Sequence, residues 1–157
     1  MISPTDDRAN VIAPAPVFFG AALAIGSLME TLVPSGSLVA FALGDTVGIA
    51  FIVAAVGIVL SAVYELLQAK TAFDVRKSTT AIVSSGAFQI SRNPTYLSLA
   101  LLSIGIALVV PSVWLLATSA FAMGVTHWGV ILREEAYLEA KFGKPYREYA
   151  ANVRRWL

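Results

Sequence analysis

The sequence predicts an all-α integral membrane protein: four transmembrane helices followed by cytoplasmic or interfacial C-terminal helices. Three observations carry this. Of 157 residues, 57% are hydrophobic and only 13% charged, with a mean hydropathy of +0.75, whereas soluble domains run at about 45–50% apolar and about 25% charged. Long charge-free stretches match the ~20 apolar residues that a spanning helix needs. All 11 Lys and Arg residues fall on one side of a four-pass arrangement, which the positive-inside rule makes cytoplasmic, together with both termini.

The elements follow in order. The first charge-free stretch, Ala9 to Met29, gives a helix over about 17–33, with Glu30 near its end. The second, Thr46 to Tyr64, gives a helix over about 44–67, in which Gly44 and Gly48 have helix-contact spacing. The third, Asn93 to Leu132, is long enough for two passes, and Val110-Pro111-Ser112 breaks it, because proline lacks a donor and clashes with the preceding turn. The result is a hairpin of helices over about 94–110 and 112–132. The Ser/Thr-rich Ser78-Thr79-Thr80 and Ser84-Ser85 read as a loop.

The tail over 133–157 changes character. Arg133 to Phe142 reads as a charged helix, Gly143 as its stop, and Pro145 as the first turn of another. On that last helix Tyr146, Tyr149, Val153 and Trp156 would form one aromatic face. It would lie in the membrane interface or pack on the ends of the bundle. The chain reads as one membrane domain over 1–157. Its flank Pro4-Thr5-Asp6-Asp7-Arg8 lacks the basic region of a secretory signal.

Composition also excludes chemistry. With no cysteine there is no thiolate, disulfide or Cys-type zinc site, and one histidine, His127, cannot build a multi-His metal site. A net charge of +1 gives no field that attracts nucleic acid. The partner expected on these grounds is the lipid bilayer, with no metal and no nucleic acid.

Polar residues concentrate at one membrane face. The connection before the third helix ends in Ser91, Arg92, Asn93, Pro94, Thr95 and Tyr96, and the fourth helix exits into Arg133, Glu134 and Glu135. Antiparallel neighbours bring these ends together, so one edge presents a guanidinium, an amide, a phenol and two carboxylates. The plain alternative is structural: Arg92 anchors lipid phosphates, Tyr96 sits in the aromatic belt, and the glutamates are solvated. At ~1.5 Å per residue from Pro111, Tyr96 and His127 lie at about one depth and Glu134 ~10 Å further out, so the loop before Pro94 must descend to meet it. His127 is a functional candidate as an ionisable residue within the membrane, or a histidine bonded to a neighbouring helix. Glu65, at the cytoplasmic end of the second helix, is a similar candidate. Glu30 lies towards the opposite face.

The run Gly86, Phe88, Ser91, Arg92, Asn93, Pro94 and Tyr96 resembles the pattern G-x-[FY]-x-x-[ST]-R-[HN]-P-x-Y. An apolar hairpin follows, then Glu134-Glu135, then Phe142, Gly143, Tyr146 and Tyr149, and finally Val153-Arg154-Arg155-Trp156, which is similar to V-P-R-W. This order resembles the isoprenylcysteine carboxyl methyltransferase family, which includes phospholipid-methyltransferase-like proteins. The likeness is close from about Ser84 onward and looser before it, through Pro14 and Pro16. It implies a membrane enzyme using S-adenosylmethionine, bound at the cytoplasmic ends of the last two helices under the tail.

On that resemblance the candidate catalytic residues are Arg92, Asn93, His127 and Glu65. The candidate cofactor-binding residues are Arg92, Tyr96, Glu134, Glu135, Tyr146, Tyr149 and Arg155. Three positions depart from the pattern: Asn93 replaces the His of its eukaryotic form, Ser98 stands where many members have Gly, and Arg154 replaces Pro. Two other readings remain: a membrane reductase related to sterol reductases and using NADPH, and a non-enzymatic scaffold or transporter subunit.

Overall fold

Proline and serine set where the helices begin in the computed structural model, which describes residues 9–35, 44–70 and 79–157. Helix α1 spans Ala15–Leu32, with Pro14 as its N-cap. Helix α2 is Gly44–Gln68. A 3₁₀ turn at Gly86–Gln89 leads to α3, Pro94–Val109, where Pro94 loses nothing by lacking an N–H that the first turn could not satisfy. Helix α4 is Val113–Thr126, capped by the Ser112 hydroxyl, which accepts from the Leu115 N–H at 3.2 Å. A π turn at His127–Ile131 joins α4 to α5, Leu132–Phe142. Gly143, at φ +60°, then turns the chain into α6, Lys144–Asn152.

The described residues contain no strand. Among the described residues, three helical runs are long and apolar enough to cross a membrane: Ala15–Leu32, Gly44–Gln68 and Val113–Phe142. Helix α3 is apolar but has 16 residues. The expected end of the fourth helix at Leu132 is not an end, because the π turn carries the helix without a break into charged α5. Arg8, Arg76, Lys77, Ser78 and the connection over 36–43 lie outside the described residues.

The helices pack in two close pairs, α2 along α3 and α1 along α4, and the hairpin contact of α3 with α4 joins the pairs. Glycine sets both approaches. A Cβ on Gly48 would sit 2.7 Å from the Gly105 carbonyl oxygen, and one on Gly105 would sit 2.7 Å from the Gly48 carbonyl oxygen. On the other pair, Gly26 lies against Leu115 and Thr118 of α4. With no hydrophobic drive between helices in lipid, this close contact supplies the attraction.

Gly105→Val should therefore destabilise the fold by about 1–3 kcal/mol, since rigid backbone stands where the new methyls must go. Gly57, with nothing within 4 Å of an added Cβ, serves as the control. Thermal unfolding in detergent should show a lowered midpoint for Gly105→Val and none for Gly57→Ala; equal midpoints would show that this crossing does not set the packing.

At the end far from the tail, Glu30 closes α1 onto α4. It accepts from the Ser35 N–H, the Ser35 hydroxyl and the Ser112 hydroxyl, each at 2.6 Å, and the Trp114 indole donates to the Val33 carbonyl at 2.8 Å. Glu30 thus lies at the opposite end from the Arg92 cluster, as its position in the sequence indicates.

Candidate functional site

At the tail end of the bundle the loop before α3, the start of α5 and helix α6 enclose a cavity of about 370 Å³. Its polar wall includes Arg92, Asn93, Tyr96, Glu134, Glu135, Tyr146 and Tyr149. Its apolar wall includes Val59 and Leu66 of α2, Ile82 and Val83 of the preceding loop, and Leu99. Pro14, Ala15 and Pro16 close another side. A ligand site of this kind needs such an apolar surface with a few convergent polar groups.

Tyr96 and Glu134 meet despite their different depths: the Tyr96 hydroxyl donates to Glu134 Oε2 at 2.8 Å. Side chains tilt towards the N-terminus of their own helix. In antiparallel helices this aims Tyr96 outward from the start of α3 and Glu134 back towards the bundle. Convergence of the two side chains thus closes the difference in depth.

Glu135 has a different task from Glu134. Arg155 Nε donates to both Glu135 oxygens at 3.0 and 3.1 Å, and Arg155 Nη2 donates to Oε2 at 2.8 Å. Arg92 Nη2 lies 3.6 Å from Glu135 Oε1, and Asn93 Nδ2 donates to the same oxygen at 3.4 Å. One carboxylate therefore holds two guanidiniums. The bond to Glu135 holds the Arg155 guanidinium above its ordinary value. Arg92 Nε is buried with no partner among the described residues, leaving donor capacity on the cationic wall of the cavity.

The C-terminal residues form a non-helical strap. Helix α6 ends at Asn152 and Val153 is extended, so Val153 and Trp156 do not continue the helical face expected from Tyr146 and Tyr149. The stretch is tied to the loop before α3 through carbonyls that a helix ending here would leave unpaired. The Arg92 N–H donates to the Arg154 carbonyl at 2.9 Å, and the Ser91 hydroxyl and Asn93 amide both donate to the Arg155 carbonyl at 3.1 Å. These bonds tie the chain to the loop. Trp156 then packs against buried Ala15, Tyr96, Val130 and Ile131.

His127 and Glu65 are not among the residues lining the cavity. His127 Nδ1 accepts from the Trp156 indole at 3.3 Å, and the two rings stack at 6.3 Å. Glu65 accepts from the Ser85 hydroxyl beside Gly86, and so secures the 3₁₀ turn. Tyr149 donates to the Phe88 carbonyl at 2.7 Å, packing α6 onto that turn. Burial pushes the Tyr146 phenol up to about 12, helped by the nearby Glu135 charge, and pushes Tyr149 higher still; both stay protonated donors. Sequence reasoning assigned no task to Ser91, which is fully buried under the strap, or to the Pro14–Pro16 wall. The Ser of the S-R-N-P run was the available signal for the first.

A family model described as phospholipid methyltransferase matches residues 43–145. That stretch includes the Arg92 loop, the α3–α4 hairpin and both glutamates, but ends before the strap. An uncharacterized protein of Haemophilus influenzae is 67% identical over 27 residues, which are 17% of this chain and 43% of that protein. The chain therefore spans less than half the length of that relative. No solved structure matches. Since the matched stretch exceeds half of the sequence and contains the helices that carry the cavity's charged groups, the chain belongs to the phospholipid methyltransferase family.

Proposed function

We propose that this protein is an integral membrane, S-adenosylmethionine-dependent methyltransferase acting on a lipid-like or apolar acceptor, similar to isoprenylcysteine carboxyl methyltransferases. The observation that carries this reading is one cavity lined both by charged groups and by aliphatic side chains. In this reading α1 to α4 all cross the bilayer. At ~1.5 Å per residue the 16 residues of α3 reach ~24 Å, and local thinning accommodates such a span. Both termini face the cytoplasm, on the side where the basic residues gather.

S-adenosylmethionine, when bound, supplies a methyl group on a sulfonium that a nucleophile can displace directly. The residues present fit its chemistry. Its amino-acid part is zwitterionic, and the polar wall is too. Arg92, with its unmet donor, suits a carboxylate. Glu134, engaged with the Tyr96 hydroxyl, suits an ammonium or ribose hydroxyls. Glu135 and Arg155 hold Arg92 and the strap in place. Tyr146, Tyr149 and Tyr96 supply aromatic surface, which cations favour. Asn93 fixes the loop to the strap, while His127 and Glu65 secure the strap and the turn. The chain's main task is then alignment and exclusion of water. The acceptor atom is a carboxylate oxygen, an amine nitrogen or a sulfur.

Calorimetry in detergent with S-adenosylmethionine, its demethylated product and NADPH tests the assignment. Binding of the first two alone supports it. NADPH binding would favour the reductase, and no binding of any of them the scaffold. A labelled-methyl screen over lipids, quinones and small thiols then identifies the acceptor.

A further inference from the structure

On the outward face of α4 lies an open groove of about 570 Å³, separate from the cavity above. Its lining includes Ile12, Phe121, Gly124, Trp128, Gly129 and Arg133. Two glycines shape it. A Cβ on Gly124 would sit 3.1 Å from the Trp128 ring, and one on Gly129 would sit 3.0 Å from Ile12 Cδ1. The indole and the Ile12 side chain therefore lie against bare helix, and between them runs an apolar channel. Phe121 and Trp128 are 74% and 69% exposed, so both rings are available to a ligand lying in the groove. Arg133 stands exposed at the rim. From Arg133 to Phe121 the groove follows the helix inward for ~18 Å.

We propose that this groove binds one anionic phospholipid, with its phosphate on Arg133 and an acyl chain along Trp128 and Phe121. Charge complementarity selects that occupant. The groove's lining carries one cation and no acidic side chain. A second copy packed there by twofold symmetry would present the same basic face and bring no carboxylate to Arg133. An anionic headgroup supplies the missing charge at the depth where an interfacial Arg and Trp belong.

The lipid would also brace the candidate site. Arg133 Nη1 donates to the Asn10 carbonyl at 3.1 Å, and the Ile12 N–H donates to the Gly129 carbonyl at 3.4 Å. The same segment continues into Pro14–Pro16, which wall the cavity. The proposed binding does not depend on the methyltransferase assignment.

Native mass spectrometry of the full chain in detergent tests this, with phosphatidylglycerol and phosphatidylcholine of identical acyl chains. The wild type should retain one phosphatidylglycerol in preference to phosphatidylcholine. Arg133→Gln should reduce that preference about fivefold, the effect of one basic side chain at an anionic headgroup. Ala120→Trp, at an exposed position in the groove, should reduce retention of both lipids by occlusion. Arg147→Gln, on exposed α6, and Glu134→Gln, in the cavity, should leave retention unchanged. An unchanged preference in Arg133→Gln would overturn the proposal. So would an equal loss in Arg147→Gln, which would indicate general surface charge, or a loss in Glu134→Gln, which would place the lipid in the cavity. A dimer that Ala120→Trp dissolves, with no lipid retained, would assign the groove to a second copy.

Discussion

Arg92→Ala is expected to weaken S-adenosylmethionine binding by at least about 100-fold, since it removes a fork of charge-assisted hydrogen bonds worth about 1.5–3 kcal/mol each. The fold should survive, because Glu135 keeps its bonds to Arg155 and the Arg92 backbone N–H still reaches the strap. Arg92→Lys keeps the charge but loses the planar fork, and should fall between the variant and the wild type. Calorimetry on detergent-solubilised protein provides the test. An alanine variant that binds S-adenosylmethionine as tightly as the wild type would remove Arg92 from the site and return it to the phosphate-anchoring role that interfacial arginines commonly take.

Glu135→Ala should instead act on stability. It leaves two guanidiniums facing each other without their shared carboxylate. Breaking a buried ion pair costs about 3–5 kcal/mol. The Arg155 side chain is 35% exposed, so water screens part of this, and about 2–3 kcal/mol is the expected loss. The strap should loosen with it, releasing Trp156 from His127, so the tail becomes open to proteases and the tryptophan emission shifts. Glu135→Gln retains an acceptor and should lose less. Glu134→Ala, which removes only the bond to Tyr96, should unfold near the wild-type temperature while binding cofactor poorly. Matching melting temperatures for Glu134→Ala and Glu135→Ala would show that Glu135 is not the clamp.

These two variants separate because adjacent glutamates on a helix point ~100° apart. The sequence offered both as cofactor ligands. In the structure both line the cavity, but Glu134 bonds Tyr96 while Glu135 holds Arg155, Arg92 and Asn93. Asn93 shows the same gap: its place in the motif suggested a catalytic position, yet its amide is engaged by the Arg155 carbonyl and Glu135. His127 and Glu65 were legible as unusual polar residues, but not as the partners of Trp156 and Ser85.

The chain itself determined its helical character, the position of its apolar segments and the end at which its polar residues gather. Those follow from local quantities: the run of apolar side chains that a bilayer requires, the prolines that interrupt it, and the charges that cannot enter it. Tertiary structure decided that Glu135 is a clamp while Glu134 bonds Tyr96, why the chain from Val153 to Trp156 leaves the helix, and how Pro14 and the first residues of α1 become a cavity wall. Those depend on side-chain direction and on hydrogen bonds between segments distant in sequence, and neither is set until the helices have packed.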